Sequence, residues 1–212
     1  MFSLAVLVSG GGTNLQALID FEKSSSCCPY RIDVVISSAK NAFALERAAA
    51  AGIETLVKSP FSVMGKERAL SASREEKNRA VSDAILEECR KRNISGIVCA
   101  GYLSVLQGDI ISEYRGRIVN LHPALLPKFG GRGMWGHHVH EAVLAAHETE
   151  SGCTVHLVDS GCDTGSILVQ KKVPVLSGDT PESLYERIAP KEHEAIVEGV
   201  CKMIEGNRGI LK

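Results

Sequence analysis

The chain lacks a dominant charge: its 212 residues hold 24 Lys plus Arg against 25 Asp plus Glu. That balance offers no broad electrostatic case for nucleic acid or an anionic membrane as partner. A long apolar run is missing too. The opening Met1-Phe2-Ser3-Leu4-Ala5-Val6-Leu7-Val8 has no basic leader and soon meets glycine, too short for a signal peptide or a span, and it reads as a buried strand. The seven cysteines are odd in number and contain no C-x-x-C spacing. They fit a reducing compartment, with the cytoplasm expected, better than a disulfide framework or structural zinc. Cys27-Cys28 lie in a Ser-rich turn, whereas Cys99 and Cys153 lie in or beside apolar runs and read as packing residues. Repeats and low-complexity linkers are absent. With 44% hydrophobic residues the chain can bury a substantial core, and a single domain over residues 1–212 is expected.

Short β-branched runs at Leu4 to Val8, Ile32 to Ile36, Gly96 to Ala100 and Ile118 to Leu121 predict strands. Helical composition separates them at Asn14 to Phe21, Phe43 to Ala51 and Ser73 to Arg92, the last opening on the capping box Ser73-Arg74-Glu75-Glu76. This rhythm predicts an α/β fold with a Rossmann-like, mostly parallel sheet and helices on both faces. Beyond residue 150 the pattern changes to two strand-like runs, Cys153 to Val158 and Ile167 to Val175, expected as an antiparallel pair. A final helix starts at Thr180-Pro181, and Pro190 is expected to kink or split it. The polar stretch Lys58 to Ala72 reads as inserted and mobile.

Three features carry chemistry. Asn120-Leu121-His122-Pro123 ends an apolar run, and alternate residues of a strand face the same way, so Asn120 and His122 converge. An amide holds an oxyanion without adding charge, and an imidazole moves a proton near neutral pH, a pairing suited to acyl transfer. The alternative is a strand end whose polar groups satisfy local backbone. Gly10-Gly11-Gly12-Thr13-Asn14, between first strand and first helix, lets backbone N–H groups meet an anion, with phosphate the natural ligand. It is neither G-x-G-x-x-G nor a Walker loop, so a dinucleotide or nucleoside triphosphate role is weak, and a plain tight turn is the alternative. Asp163, in a glycine-flanked loop after the strand carrying His156, is placed to orient or charge-stabilise His122, although Asp also serves turns for local reasons.

Together, Ser9 to Leu15, Asn120 to Lys128 with its His-Pro-x-Leu-Leu-Pro block, Gly152 to His156 and Asp163-Thr164-Gly165 closely resemble glycinamide ribonucleotide formyltransferases. These are folate-dependent enzymes of purine synthesis, and the likeness runs to about Gly206. It implies a phosphate-binding half over about 1–100 and a folate-binding, catalytic half over about 101–206. It further implies 10-formyltetrahydrofolate as cosubstrate, small-molecule substrates, no metal, no nucleic acid or membrane partner, and a monomer or homodimer. By position, Asn120, His122 and Asp163 match the catalytic set. Gly12, Thr13, Asn14 and Glu192 match the nucleotide-binding residues. Arg74, Leu103, Ser104, Val105 and Leu106, with Asn120, match the folate side.

Ser104 stands where the bacterial pattern has Arg, and Ala189 replaces a polar residue. The loop Phe129 to His140 is longer than in the commoner bacterial form and holds the only Trp, which predicts a lid or entrance wall. His137, His138 and His140 within it lack an accompanying cysteine or positioned carboxylate and are read as loop or substrate contacts, not as metal ligands. Two relatives use similar chemistry. A formyltetrahydrofolate hydrolase is expected to carry an extra N-terminal domain, and methionyl-tRNA formyltransferase a C-terminal RNA-binding barrel. A noncatalytic phosphosugar-binding module is the alternative of another class.

Overall fold

The β-then-α rhythm becomes a seven-stranded sheet in the computed structural model, which describes residues 1–208. The last four residues of the expected 1–212 domain lie outside the described residues. The order begins β1 (Phe2–Val8), α1 (Thr13–Ser24), β2 (Tyr30–Ser37), α2 (Phe43–Ala50) and β3 (Glu54–Val57). It continues with α3 (Pro60–Met64), α4 (Lys66–Ser71), α5 (Arg74–Lys91), β4 (Gly96–Cys99), α6 (Asp109–Glu113) and β5 (Ile118–His122). The C-terminal part holds α7 (His137–Ala145), β6 (Glu150–Leu157), β7 (Ile167–Pro174) and α8 (Pro181–Asn207). In space the strands run β3-β2-β1-β4-β5-β6-β7. Pairing is parallel from β3 through β5 and antiparallel for β5·β6 and β6·β7.

Successive β1 residues face opposite sides, and both sides are covered. Leu4, Val6 and Val8 meet Leu15 and Leu18 of α1 together with Ile196 and Val200 of α8. Ala5 and Leu7 meet Val81, Ile85 and Cys89 of α5. Near-continuous apolar strands are what a sheet buried on both faces requires. The chain reverses its direction of strand addition between β1 and β4, and in such sheets ligands bind in the crevice beyond the strands' carboxyl ends at that point. The turn after β1 and the segment after β4 therefore meet there.

Local signals explain the helix starts. Ser73 accepts from the Glu76 amide at 3.2 Å, and Glu76 accepts from the Ser73 amide at 2.7 Å, completing the expected box. Two expectations need correction. Pro190 does not split the last helix, since α8 runs from Pro181 to Asn207 with Pro190 inside it. Pro190 is exposed, and the opposite face, through Leu184, Ile188, Ala195, Ile196, Val200 and Met203, is buried. Tertiary burial of that face outweighs one missing backbone bond. Lys58 to Ala72, read as inserted and mobile, is built of two short helices, α3 and α4, with Ser59 and Ser62 as a capping box and Ala69 buried. The loop Phe129 to His140 likewise ends in a helix, α7, from His137.

The seat of α8 on β6 depends on Gly199, where an added Cβ lies 2.4 Å from Val155 Cγ1. Alanine ordinarily favours a helix interior by about 0.5–1 kcal/mol over glycine, whereas forcing a methyl against a stiff β-branched neighbour costs about 1–3 kcal/mol. The second effect wins, so Gly199→Ala is expected to lower the urea midpoint with an unchanged m-value. A raised midpoint would show that the contact is loose.

Candidate active site

At the carboxyl end of β5 the pleat turns Asn120 and His122 to the same side, as the two-residue spacing predicts. Asp163 reaches the same point from the loop after β6. Its Oδ1 lies 3.4 Å from Asn120 Nδ2 and its Oδ2 3.6 Å from His122 Nδ1. Oδ2 also accepts the Gly131 amide at 2.9 Å. Asp163 and Phe129 both hold left-handed backbone, φ 57° and 56°, a conformation Asp tolerates and a bulky aromatic rarely adopts. Two unusual residues side by side mark a place where surrounding structure dictates the backbone.

Hydrogen-bond roles follow from what each partner can accept. The Phe129 carbonyl lies 2.8 Å from His122 Nε2; a carbonyl only accepts, so Nε2 carries hydrogen and Nδ1, facing Asp163, is the nitrogen that titrates. His156 lies opposite Asn120 in the β5·β6 register. Its Nδ1 lies 2.9 Å from the Leu157 carbonyl and therefore donates. Its Nε2 is left to accept from Asn120 Nδ2 at 3.1 Å and lies 3.4 Å from Asp163 Oδ1. Beneath this set, Thr154 Oγ1 donates to the Ala124 carbonyl at 2.6 Å and accepts the Leu126 amide at 3.1 Å, fixing the His-Pro-x-Leu-Leu-Pro loop.

Charges are tuned accordingly. Burial alone raises the Asp163 carboxyl, but the adjacent His156 ring, the hydrogen bond from the Gly131 amide and the nearby His122 imidazole hold it below the usual carboxylate range. His122 is pushed down by burial, which Asp163 opposes. At neutral pH the free protein thus pairs a carboxylate with a largely neutral imidazole.

A cleft of about 840 Å³ brings this set together with two unlike linings. One is Gly12, Thr13 and Asn14, with Glu192 of α8. Gly12 has φ 72°, and an added Cβ would lie 2.6 Å from Ala44 Cβ, so glycine is required on both counts. Asn14 Nδ2 donates to Glu192 Oε2 at 3.1 Å, and Asn14 Oδ1 is buried without a partner. Burial pushes the Glu192 carboxyl up, and the Asn14 bond pulls it down. The other is Arg74 and the segment Leu103, Ser104, Val105 and Leu106, with Leu103 57% and Val105 38% exposed. Exposed apolar side chains in a concave wall fit a flat heterocycle.

Every residue the sequence placed at the site lines this one cleft. Sequence reasoning assigned no role to His156, to the Gly131 amide or to the Phe129 carbonyl. Only the β5·β6 register, which pairs Asn120 with His156, points to that histidine. From the long loop, Trp135, His137 and His140 line the cleft, with Tyr185 of α8 beside them. Among the described residues no grouping of three or more His, Cys, Asp or Glu is arranged to hold a metal, and no helix is long and apolar enough to cross a membrane.

A carboxylate, two imidazoles and a carboxamide share one cleft with a glycine turn and an apolar segment, and the chain belongs to the formyl transferase family. That family's model matches residues 2–200. The chain is similar to the glycinamide ribonucleotide transformylase 1 of Symbiobacterium toebii, with 36% identity, TM-score 0.84, and coverage of 98% of this chain and 89% of that one. It is also similar to the phosphoribosylglycinamide formyltransferase of Brucella melitensis, with 39% identity, TM-score 0.80, and coverage of 95% and 94%. The trifunctional purine biosynthetic protein adenosine-3 of Drosophila pseudoobscura pseudoobscura is 42% identical over 205 residues, 96% of this chain and 14% of that protein. The chain thus spans about a seventh of that relative's length. It spans 65% of the chloroplastic phosphoribosylglycinamide formyltransferase of Arabidopsis thaliana, at 36% identity.

Burial, with the His137 and His122 imidazoles nearby, pushes His140 down from 6.5 to about 4. The unfolded chain then binds more protons than the folded one between those values, so this group's stabilisation is complete above 6.5 and is lost as pH falls toward 4. Glu192, raised by burial, acts in the opposite sense, so a variant comparison isolates the histidine. His140→Gln is expected to flatten the fall in unfolding midpoint over that window. Parallel wild-type and variant curves would contradict it.

Proposed function

We propose that the chain transfers the formyl group of 10-formyltetrahydrofolate to the amine of 5-phosphoribosylglycinamide, giving 5-phosphoribosyl-N-formylglycinamide and tetrahydrofolate in purine synthesis. The observation that carries this reading is the meeting of Asn120, His122 and Asp163 in one cleft with the Gly12–Asn14 turn and the apolar segment Leu103–Leu106. Two substrates held by those two linings bring amine and formyl carbon together beside the polar set, which is the proximity such a reaction needs.

In this reading the Gly12–Asn14 turn receives the phosphate on helix N–H groups, Glu192 with Asn14 receives the sugar, and Leu103–Leu106 with Arg74 receives the folate. An α-amino group titrates near ~8, so a neutral fraction is present at pH 7 and no strong base is required. The amine nitrogen bonds to the formyl carbon, and the carbonyl electrons move to oxygen. Asn120 Nδ2 donates there. Of its two present contacts the 3.4 Å one to Asp163 is the longer, so that hydrogen is the one the oxyanion takes. His122, protonated at Nδ1, is the acid beside the oxyanion, and Asp163 favours that charge. Collapse restores the carbonyl and breaks the bond to the folate nitrogen. The proton lost by the amine ends on that nitrogen, through water or imidazole positioned by Asp163, and no net proton is released from a neutral amine. The partners are small molecules, and seven free cysteines suit a reducing cytoplasm.

Purified protein given 10-formyltetrahydrofolate is expected to release tetrahydrofolate only when the amine is present. Release without amine indicates a hydrolase, and binding without turnover indicates a noncatalytic module. Asn120→Ala is expected to cost about 10²–10³ in kcat, the usual loss of one oxyanion donor. Asp163→Asn is expected to cut turnover sharply while leaving the protein folded, and wild-type turnover in that variant would refute the assignment.

A further inference from the structure

The glycine turn ahead of α1 is held from behind by α2. The Ala44 amide donates to the Gly10 carbonyl at 3.0 Å, and Arg47 Nε donates to the Gly11 carbonyl at 2.9 Å. A trans peptide points its N–H opposite its C=O. With both carbonyls drawn toward α2, the amides of Gly11 and Gly12 point the other way, and both residues line the cleft. The first helical bond of α1 runs from the Gln16 amide to the Gly12 carbonyl at 2.9 Å, so Thr13 and Asn14 amides are also free of intrahelical partners.

Arg47 is itself fixed. Its Nη1 donates to Gln16 Oε1 at 3.2 Å, and Gln16 Nε2 donates to Asp20 Oδ1 at 2.8 Å. Its guanidinium lies 5.0 Å from the Phe43 ring centroid. These contacts are a carbonyl, an amide oxygen and a ring, none of them anionic, so among the described residues no partner in contact neutralises the charge. Its field reaches the neighbourhood of Glu192: burial first, then the Arg47 charge, opposed by Asp20, hold the adjacent His193 below the usual imidazole range.

We propose that Arg47 is the positioning residue for a phosphate monoester in this cleft. Holding the Gly11 carbonyl outward, it turns the Gly12 amide inward and sets a positive charge behind the turn. The inference rests on the reading of the turn as the phosphate end. Arg47 does not line the cleft and acts through the backbone it holds. Lysine keeps the charge but lacks the planar fork that serves Gly11 and Gln16 together.

The test has two arms on the full chain and its Arg47→Ala and Arg47→Lys variants. In the first, inorganic phosphate is titrated into ¹⁵N-labelled protein. The Gly11, Gly12 and Thr13 amides are expected to shift in wild type, with affinity about tenfold weaker in Arg47→Ala and intermediate in Arg47→Lys, the scale of one lost charge-assisted contact. In the second, kcat/KM is compared for 5-phosphoribosylglycinamide and its dephosphorylated riboside. The preference for the phosphorylated amine is expected to shrink about tenfold in Arg47→Ala, with far less change for the riboside. An unchanged preference, or equal losses on both amines, overturns the inference. Should wild type turn over neither amine, the formyl-transfer reading fails and the phosphate arm alone decides: equal phosphate affinity in wild type and Arg47→Ala overturns the role of Arg47.

Discussion

The site depends on one buried carboxylate. Asp163 has an 11% exposed side chain and accepts from Asn120 and Gly131, beside His122 and His156. An isolated ion in such a place is costly, so it persists only with donors and polar groups close around it. That requirement explains the left-handed backbone at Asp163 and the approach of the Phe129–Gly131 segment. His156 is turned with its Nδ1 hydrogen toward the Leu157 carbonyl, leaving Nε2 for the amide that Asp163 shares.

The fold delivers these groups by a simple division. Parallel strands β1 and β4 send their following segments into one crevice, supplying the glycine turn and the apolar wall. The antiparallel pair β5·β6 supplies Asn120, His122 and His156 in register, and the loop leaving β6 returns Asp163 over them. Thr154 and Gln170 then tie the loop after β5 to β6 and β7. Polar chemistry thus rests on strand ends and backbone held by the core, where positions are better fixed than on free loops.

Much of this was legible in sequence because the signals are local. β-branched runs marked β1, β2, β4 and β5, and the Ser73–Glu76 box marked the start of α5. The two-residue spacing of Asn120 and His122 placed both on one face. What was missed depends on contacts distant in the chain. Pro190 is tolerated because α8 is clamped along its far face, and β3 is a half-buried edge strand with no alternation to read. Residues 58–72 fold around a Ser59–Ser62 cap that composition alone disguised. His156 acquires its contacts only through a strand pairing across 36 residues, and Arg47 only through the return of α2 behind the first turn.

The central claim, that Asp163 sets the ionisation of His122, is most directly measured by ¹⁵N imidazole NMR titration of wild type and Asp163→Asn. Burial predicts a wild-type His122 midpoint below 6.5. Loss of the opposing carboxylate predicts a further fall in the variant. A midpoint that stays in place or rises when Asp163 is neutralised would contradict the account.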